Sequence, residues 1–434
     1  MKKKWRMFLL LCFICITLPC YPKGESHIIQ DVPLFAQQTS LWCWAAGGEM
    51  IMHKLGKDVP QSVQAALNPN CNDCRSKPIT EEYCACSGFA NYRHFGFEYC
   101  STNFTRKPPL LWDTLVSQIK DDKPVGFSWG WKNSSSKASG HYMVVRGYIQ
   151  IDDYRMLVVN DPKPSNPEKD KGGTLIIMTY KDYKAFPRRY EHRYDDYNFR
   201  EKSKPENKKS NVKSMHMKNK TPATTGIERA PEDIGEQEPG ALLPGLLQLL
   251  QTLPLEAKEL LGFKPKHEGK KIEWRGPLDI KNVGLLDLAK CDPADLKSIK
   301  EILMYGKEKI YLLYIEKEFI TTLTIRKRKG KWVFSAFGNK KKEMMRKANT
   351  LYHISKSFYQ SSVIIDVPAM YLTFLASWKD KGTAKEELKM ELPYESPVFS
   401  SQWTERLHAQ DFFKKLKEKA PKYENVLTPP PKEN

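Results

Sequence analysis

The sequence predicts an α+β protein in two parts, a smaller N-terminal domain and a second α+β domain, separated by a basic polar stretch. Three observations carry this. Apolar residues recur at helical spacing from Cys43 through Trp44, Gly48, Ile51 and Leu55. Two strand patterns, at 140–148 and 156–161, lie one short turn apart. Three further strand patterns, at 309–315, 319–325 and 331–337, follow one another as a meander well beyond the basic stretch. A chain of 434 residues is long enough to fill two cores.

Residues 1–22 read as a secretory signal. Lys2-Lys3-Lys4-Trp5-Arg6 precedes an apolar run from Met7 to Leu18, and Pro22-Lys23-Gly24 follows. The run is too short for a stable membrane span. Export is therefore expected, to a secreted, periplasmic or cell-envelope location. Cys20 follows Thr17-Leu18-Pro19, which lacks the small residue that a lipid-attachment site has directly before its cysteine, so lipidation is disfavoured. The apolar stretch from Leu242 to Leu261 is broken by Pro244, Gly245 and Pro254 and does not read as a span.

The first domain is placed at 27–190. Its most informative segment is Gln37-Gln38-Thr39-Ser40-Leu41-Trp42-Cys43-Trp44-Ala45-Ala46. Ser40 is the expected cap and Gly56 the expected stop of a helix that carries Cys43 in its first turn. Unpaired N–H groups and the macrodipole favour an anion there, which predicts a lowered thiol pKa. Gln37, on the incoming loop, can aim its amide donors at a reacting carbonyl, as an oxyanion-hole group does. Of the nine histidines, His141 has the context of a proton carrier, at the start of the strand Gly140-His141-Tyr142-Met143-Val144-Val145. If the hairpin turn centres near Asp152, position 141 falls opposite roughly position 163. Asn160 or Asp161 then ends beside the imidazole. Alternation allows only one of them to face it, and spacing leaves both open.

These segments, in the order glutamine, helix cysteine, strand histidine and Val-Asn-Asp-Pro, resemble the papain-like cysteine proteases. They are most similar to the compact bacterial branch that includes staphopain-like and avirulence-effector-type enzymes, related to the double-glycine leader peptidases. The resemblance covers about residues 28–190. It implies a two-lobed domain, a helical half plus an antiparallel β half, with a cleft between them. It also implies a peptidase in which Cys43 forms a thioester acyl-enzyme, His141 is general base and acid, Asp161 before Pro162 is the orienter, and Gln37 serves the oxyanion hole. Asn160 stays the alternative orienter. No cofactor or metal is required. Two other classes share these residues: an acyltransferase or peptide-crosslinking enzyme with the same triad, and a catalytically inactive disulfide-rich binding protein. Trp42 and Trp44 read first as packing residues and second as cleft-lining ones.

Three of the ten cysteines fall in the signal, and Cys71, Cys74, Cys84, Cys86 and Cys100 crowd into one loop-rich segment. An exported chain makes them disulfide candidates. The pair Cys84-Ala85-Cys86 is too close for a usual zinc knuckle. Five cysteines cannot all pair among themselves, and Cys291 is a remote partner for the odd one.

Residues 191–237 read as a solvated basic linker and 238–425 as a second α+β domain of unassigned role. In that domain Asp292-Pro293-Ala294-Asp295-Leu296 signs a helix start, Lys329-Gly330 a turn, Val363–Val367 a fourth strand, and Lys340–Ser357 a charged helix with Asn339 as cap. His267, His353 and His408 are isolated and read as non-catalytic. Residues 426–434, with Pro429-Pro430-Pro431, form an extended tail. The formal charge of +19 is spread without the interleaved aromatics of a nucleic-acid groove, so nucleic acid is not an expected partner. Peptide or protein substrates are, with salt-sensitive attraction to anionic envelope polymers as a secondary expectation. The signal lies so close to the first motif that restraint by a long propeptide is not expected. Occlusion of the cleft or docking of substrate by the C-terminal domain takes its place as the expectation.

Overall fold

A computed structural model describes residues 24–75, 79, 84, 86–102, 109–131, 140–163, 168–186, 190–202, 238–283, 285–303, 308–338, 362–367, 372–379, 387–394 and 407–425. The signal with Cys20, most of the expected linker, the helix expected at 340–357 and the tail lie outside them. The described residues form a mixed α+β structure with one large sheet and nine α-helices, compatible with a papain-like domain.

In the N-terminal half, β1 (Gly24–Ile28) precedes α1 (Cys43–Lys54) and α2 (Gln61–Ala66). There follow β2 (Phe97–Ser101), α3 (Trp112–Lys120), β3 (Val125–Trp131), β4 (Gly140–Ile151), β5 (Tyr154–Asp161) and β6 (Thr174–Thr179). The half closes with α4 (Tyr180–Lys184), β7 (Ala185–Phe186) and β8 (Tyr190–Glu201). The sheet order here is β6-β5-β4-β3-β8-β2, with β1 beside the far half of β4 and β7 beside β8. Helix α1 is buried from Cys43 through Met52 on every face, so it is a core helix rather than an amphipathic surface one.

One boundary moves. Residues from 191 onward, expected as linker, continue β8 to Glu201, paired with both β3 and β2. Tyr190, Tyr194 and Phe199 supply its buried positions in place of aliphatics, and Asp195 and Asp196 are buried beside them.

The C-terminal half begins with α5 (Leu243–Thr252) and α6 (Leu255–Leu260), the apolar stretch split at Pro254. Among the described residues no helix is long and apolar enough to cross a membrane. Then come β9 (Glu273–Asn282), α7 (Leu285–Lys290), α8 (Leu296–Ile302), β10 (Glu308–Ile315), β11 (Glu318–Arg328) and β12 (Lys331–Phe337). The chain ends with β13 (Ser362–Val367), β14 (Leu372–Lys379), β15 (Glu387–Tyr394), β16 (Leu407–His408) and α9 (Ala409–Asn425). Asp295 caps α8 by accepting from the Lys297 and Ser298 amides. The β11–β12 turn holds Lys329 at φ 45° and Gly330 at φ 86°, the two left-handed residues a tight hairpin requires. The meander occupies the predicted spans. Strand β13 pairs in parallel with β9, which was not foreseen.

The two halves share one sheet and one core, and this is the main departure from the expectation of a separate second domain. Strand β12 pairs with β6 through Ala336↔Met178 and Phe337↔Ile177. On β5, Leu157 and Val159 face the core that contains Cys43. Met156 and Val158 face the opposite way, into a core with Leu243, Leu246, Leu250 and Phe337. Helices α5 and α6 therefore cover the sheet face opposite α1. A buried ion cluster reinforces the join. Asp182 of α4 meets Arg326 and Arg328 of β11, and Glu308 of β10 meets Arg326. Burial works against the Arg326 charge, but Asp182 and Glu308 outweigh it and hold the guanidinium more firmly protonated.

Candidate active site

Helix α1 meets β4 through Gly47. A Cβ built on Gly47 would lie 2.5 Å from the Tyr142 ring, so only glycine lets the helix approach this closely. Gly47→Ala sets an overpacking cost of about 1–3 kcal/mol against a helix-propensity gain of ~1 kcal/mol. A net loss of stability in urea unfolding is expected. That approach brings Cys43, first residue of the helix, to the beginning of β4. The Tyr142 backbone N–H, next in sequence to His141, hydrogen-bonds to the Cys43 thiol, as does the Trp44 backbone N–H.

His141 and Asp161 meet through the β4–β5 hairpin. The turn is at Asp152 and Asp153, and the register passes a bulge at Arg146 to reach Val144↔Asn160. Continued, this register sets 141 opposite 163, so Asp161 is the diagonal same-face neighbour of His141. His141 Nε2 lies 2.6 Å from Asp161 Oδ1, both residues buried. The same carboxylate oxygen accepts from the Lys163 amide at 2.9 Å. Asn160 points the other way: its Nδ2 donates to Pro33 O at 2.9 Å and Val32 O at 3.3 Å. Geometry thus pairs Asp161, not Asn160, with the imidazole.

The loop before Cys43 is strapped across the end of β5. Gln37 N donates to Pro162 O at 2.9 Å, and Ala36 N to Lys169 O at 2.6 Å. Lys169 in turn reaches Glu49 of α1 at 2.5 Å. Gln61 receives the Gln38 amide and donates to Ala36 O. Gln37 is fully buried. Its Nε2 donates to Thr39 O at 2.9 Å and Ser40 O at 2.5 Å, so an oxyanion would compete with loop carbonyls for these hydrogens.

Two expectations change. The Cys43 thiol is raised above its ordinary pKa, not lowered: burial at 7% exposure outweighs the Tyr142 and Trp44 amides and the nearby Lys163 charge, and Asp161 adds to the rise. A thiolate here needs a proton acceptor rather than the helix dipole alone. Ser40 is not the cap, since Trp42 occupies the N-cap position with no side-chain hydrogen bond. Trp42 and Trp44 take the first of their two readings, packing. Both indoles are buried in the cysteine loop, Trp42 Nε1 donating to Cys86 Sγ at 3.2 Å and Trp44 Nε1 to Cys86 O at 3.3 Å.

Cys71 and Cys86 form a disulfide with Cα atoms 5.4 Å apart, and the sulfurs of Cys71, Cys74 and Cys86 lie within 4.8 Å of one another. Cys84 is buried in the same cluster. Cys100 is exposed on β2, and Cys291 is buried in a different core with Leu288 and Phe412. Sequence reasoning missed Lys163, whose charge reaches Cys43, and Arg146, whose guanidinium holds Ile29 O at 2.7 Å and thereby the strap. The bulge that places Arg146 has no sequence signature.

Residues 29–198 match the family model described as Peptidase_C39 like family. The match supports the papain-like/C39 cysteine peptidase superfamily for this part of the chain, and a cysteine peptidase as its class of enzyme. A search of curated proteins found no match.

Proposed function

We propose that the protein is an exported papain-like endopeptidase of the staphopain-like kind, in which Cys43 attacks the scissile carbonyl, His141 carries the proton and Asp161 orients the imidazole. The observation that carries this reading is the His141–Asp161 pair set against the first residue of α1, Cys43. With Nε2 on Asp161, the ring presents Nδ1 as the nitrogen for the thiol proton. Deprotonation of a buried thiol is then coupled to formation of an imidazolium held by a carboxylate. Attack gives a thioester, the leaving amine takes the proton back from His141, and water releases the acid. The Cys43 backbone N–H, one of the donors a helix start leaves without an intrahelical acceptor, stabilises the tetrahedral oxyanion, joined by the Gln37 side-chain amide once it exchanges a loop carbonyl for the oxyanion.

The mature chain, from residue 23 onward, should cleave an unstructured protein such as casein. Adding a primary amine should leave hydrolysis the main outcome. Transfer to the amine as the main product would instead favour the acyltransferase class, and no turnover of any peptide bond would favour the inactive binding protein. Asp161→Ala is expected to lower kcat by roughly 10²-fold and also to lower stability, because it strands the His141 ring nitrogen and the Lys163 amide. Asn160→Ala should cost about 1–3 kcal/mol in urea unfolding with a much smaller effect on kcat, because it strands two strap carbonyls.

A further inference from the structure

Behind the nucleophile lies a hydrogen-bonded chain that the reaction itself does not use. Tyr142 directs its ring into a slot between two glycines: a Cβ on Gly47 would meet its Cδ1 at 2.5 Å, and a Cβ on Gly126 of β3 would meet its hydroxyl at 1.7 Å. At the end of the slot the hydroxyl donates to Asp196 Oδ2 at 2.9 Å and lies 3.0 Å from the Tyr92 hydroxyl. Both tyrosines are buried. The backbone N–H of this same residue is the one on the Cys43 thiol. We propose that Tyr142 is a positioning residue for the nucleophile, its ring fixed by Asp196, Tyr92 and the two glycines so that its N–H stays on the Cys43 sulfur beside His141. This rests on the catalytic reading of Cys43.

Three physical features support it. A β-strand couples side chain and backbone tightly, so a ring that cannot turn fixes the peptide on its N-terminal side. Burial pushes the Tyr92, Tyr142 and Tyr194 hydroxyls well above 10, so the chain has hydroxyl protons to donate at every working pH. Burial also pushes the Asp196 carboxyl up to about 7, against the opposing hydrogen bonds from Ser101 and Tyr142. The groups facing Asp196 are therefore Tyr142 from β4, Ser101 from β2, and Tyr92, Tyr99 and Tyr194 around it, with Asp195 as its sequence neighbour. Asp195 is turned to other partners, the His192 ring at 2.9 Å and the Leu110 amide at 3.1 Å.

The sign follows. Above about pH 7 the ionised carboxylate accepts from Tyr142 in a charge-assisted bond, roughly twice as strong as a neutral one. Below it the carboxyl is neutral and the grip on Tyr142 weakens. Positioning of the Cys43 thiol therefore improves as pH rises through Asp196, in addition to whatever the thiol and imidazole contribute.

The test is the pH dependence of the rate at which iodoacetamide alkylates Cys43 in the full mature chain, read by peptide mapping between pH 4 and 10. Wild type should show a step near pH 7 beyond the one abolished by His141→Ala. Asp196→Asn should remove that step. Tyr142→Phe keeps the ring in its slot but takes a donor from the carboxylate. With no hydroxyl for the carboxylate to hold, it should abolish the step, as D196N does, because ionisation of Asp196 no longer changes the grip on the ring. If the wild-type, D196N and Y142F profiles coincide while His141→Ala still slows alkylation, the positioning role is wrong and the catalytic reading stands. If His141→Ala leaves alkylation unchanged, the catalytic reading itself has failed. Should D196N not fold, the Y142F profile alone decides, since a retained step overturns the proposal.

Discussion

His141→Ala should lower kcat/KM by roughly 10²–10⁴-fold, the range for loss of a positioned general acid and base. The reason is specific to this site. The Cys43 thiol is buried and its pKa is raised, so helix-dipole assistance does not by itself supply a thiolate near neutral pH. The proton must pass to a neighbour, and the imidazole paired with Asp161 is the group built into the sheet at that place. Some stability should be lost as well, because the ring is buried and its removal leaves the buried Asp161 carboxylate without the imidazole, so activity is compared on protein shown to be folded. The check is a peptide-hydrolysis assay alongside urea unfolding. A variant that loses activity only by unfolding would not support the assignment.

The second large effect concerns the join between the halves. Asp182→Ala should destabilise the whole chain by about 3–5 kcal/mol, the cost of stranding a buried charge. Asp182, Glu308 and Arg326 are all nearly inaccessible, and Asp182 bridges α4 to both Arg326 and Arg328. The same join predicts the behaviour of a chain stopped at residue 202. It would leave β6 without β12 and expose Ile149, Met156, Val158 and Ile177 to water. Each such side chain contributes about 1.5–3 kcal/mol through burial, and an open apolar edge strand invites association. Such a fragment should aggregate or unfold at a midpoint well below that of the full chain. A chain stopped at 190 would also lack β8, the strand between β3 and β2. Comparing its activity with the full chain would therefore report folding rather than occlusion. Helices α5 and α6 lie on the face away from α1 and strands β9–β12 continue the sheet from β6, so these elements support the sheet.

What could be read in advance was whatever a period or a turn encodes. The helix at Cys43, the hairpin that brings 161 next to 141, and the meander with its Lys329-Gly330 turn all follow from alternation, helical spacing and left-handed turn residues. The choice between Asp161 and Asn160 was not in the spacing, because a single bulge at Arg146 decides which side faces the histidine. Strand β8 was hidden because its buried positions are tyrosines and aspartates, residue types that composition assigns to solvent. Asp195 and Asp196 are buried there because His192, Tyr183 and Tyr142 pair with them. The Cys43 pKa was misjudged because a helix start says nothing about how deeply it is buried. The orientation of Trp42 and Trp44 depended on where the cysteine loop folds, and that is a long-range packing outcome. The shared core was hidden for the same reason, since Met156 and Val158 look alike whether they face solvent, a partner or the chain's own distant helices.

The central claim is that Cys43 is an activated nucleophile, and the most direct measurement is labelling of the purified mature protein with an active-site-directed epoxide, followed by peptide mapping, with His141→Ala as control. Modification of Cys43 alone among the thiols, lost in the His141→Ala protein, is the predicted result. A folded protein in which Cys43 is unmodified, or is modified equally with and without His141, would contradict it.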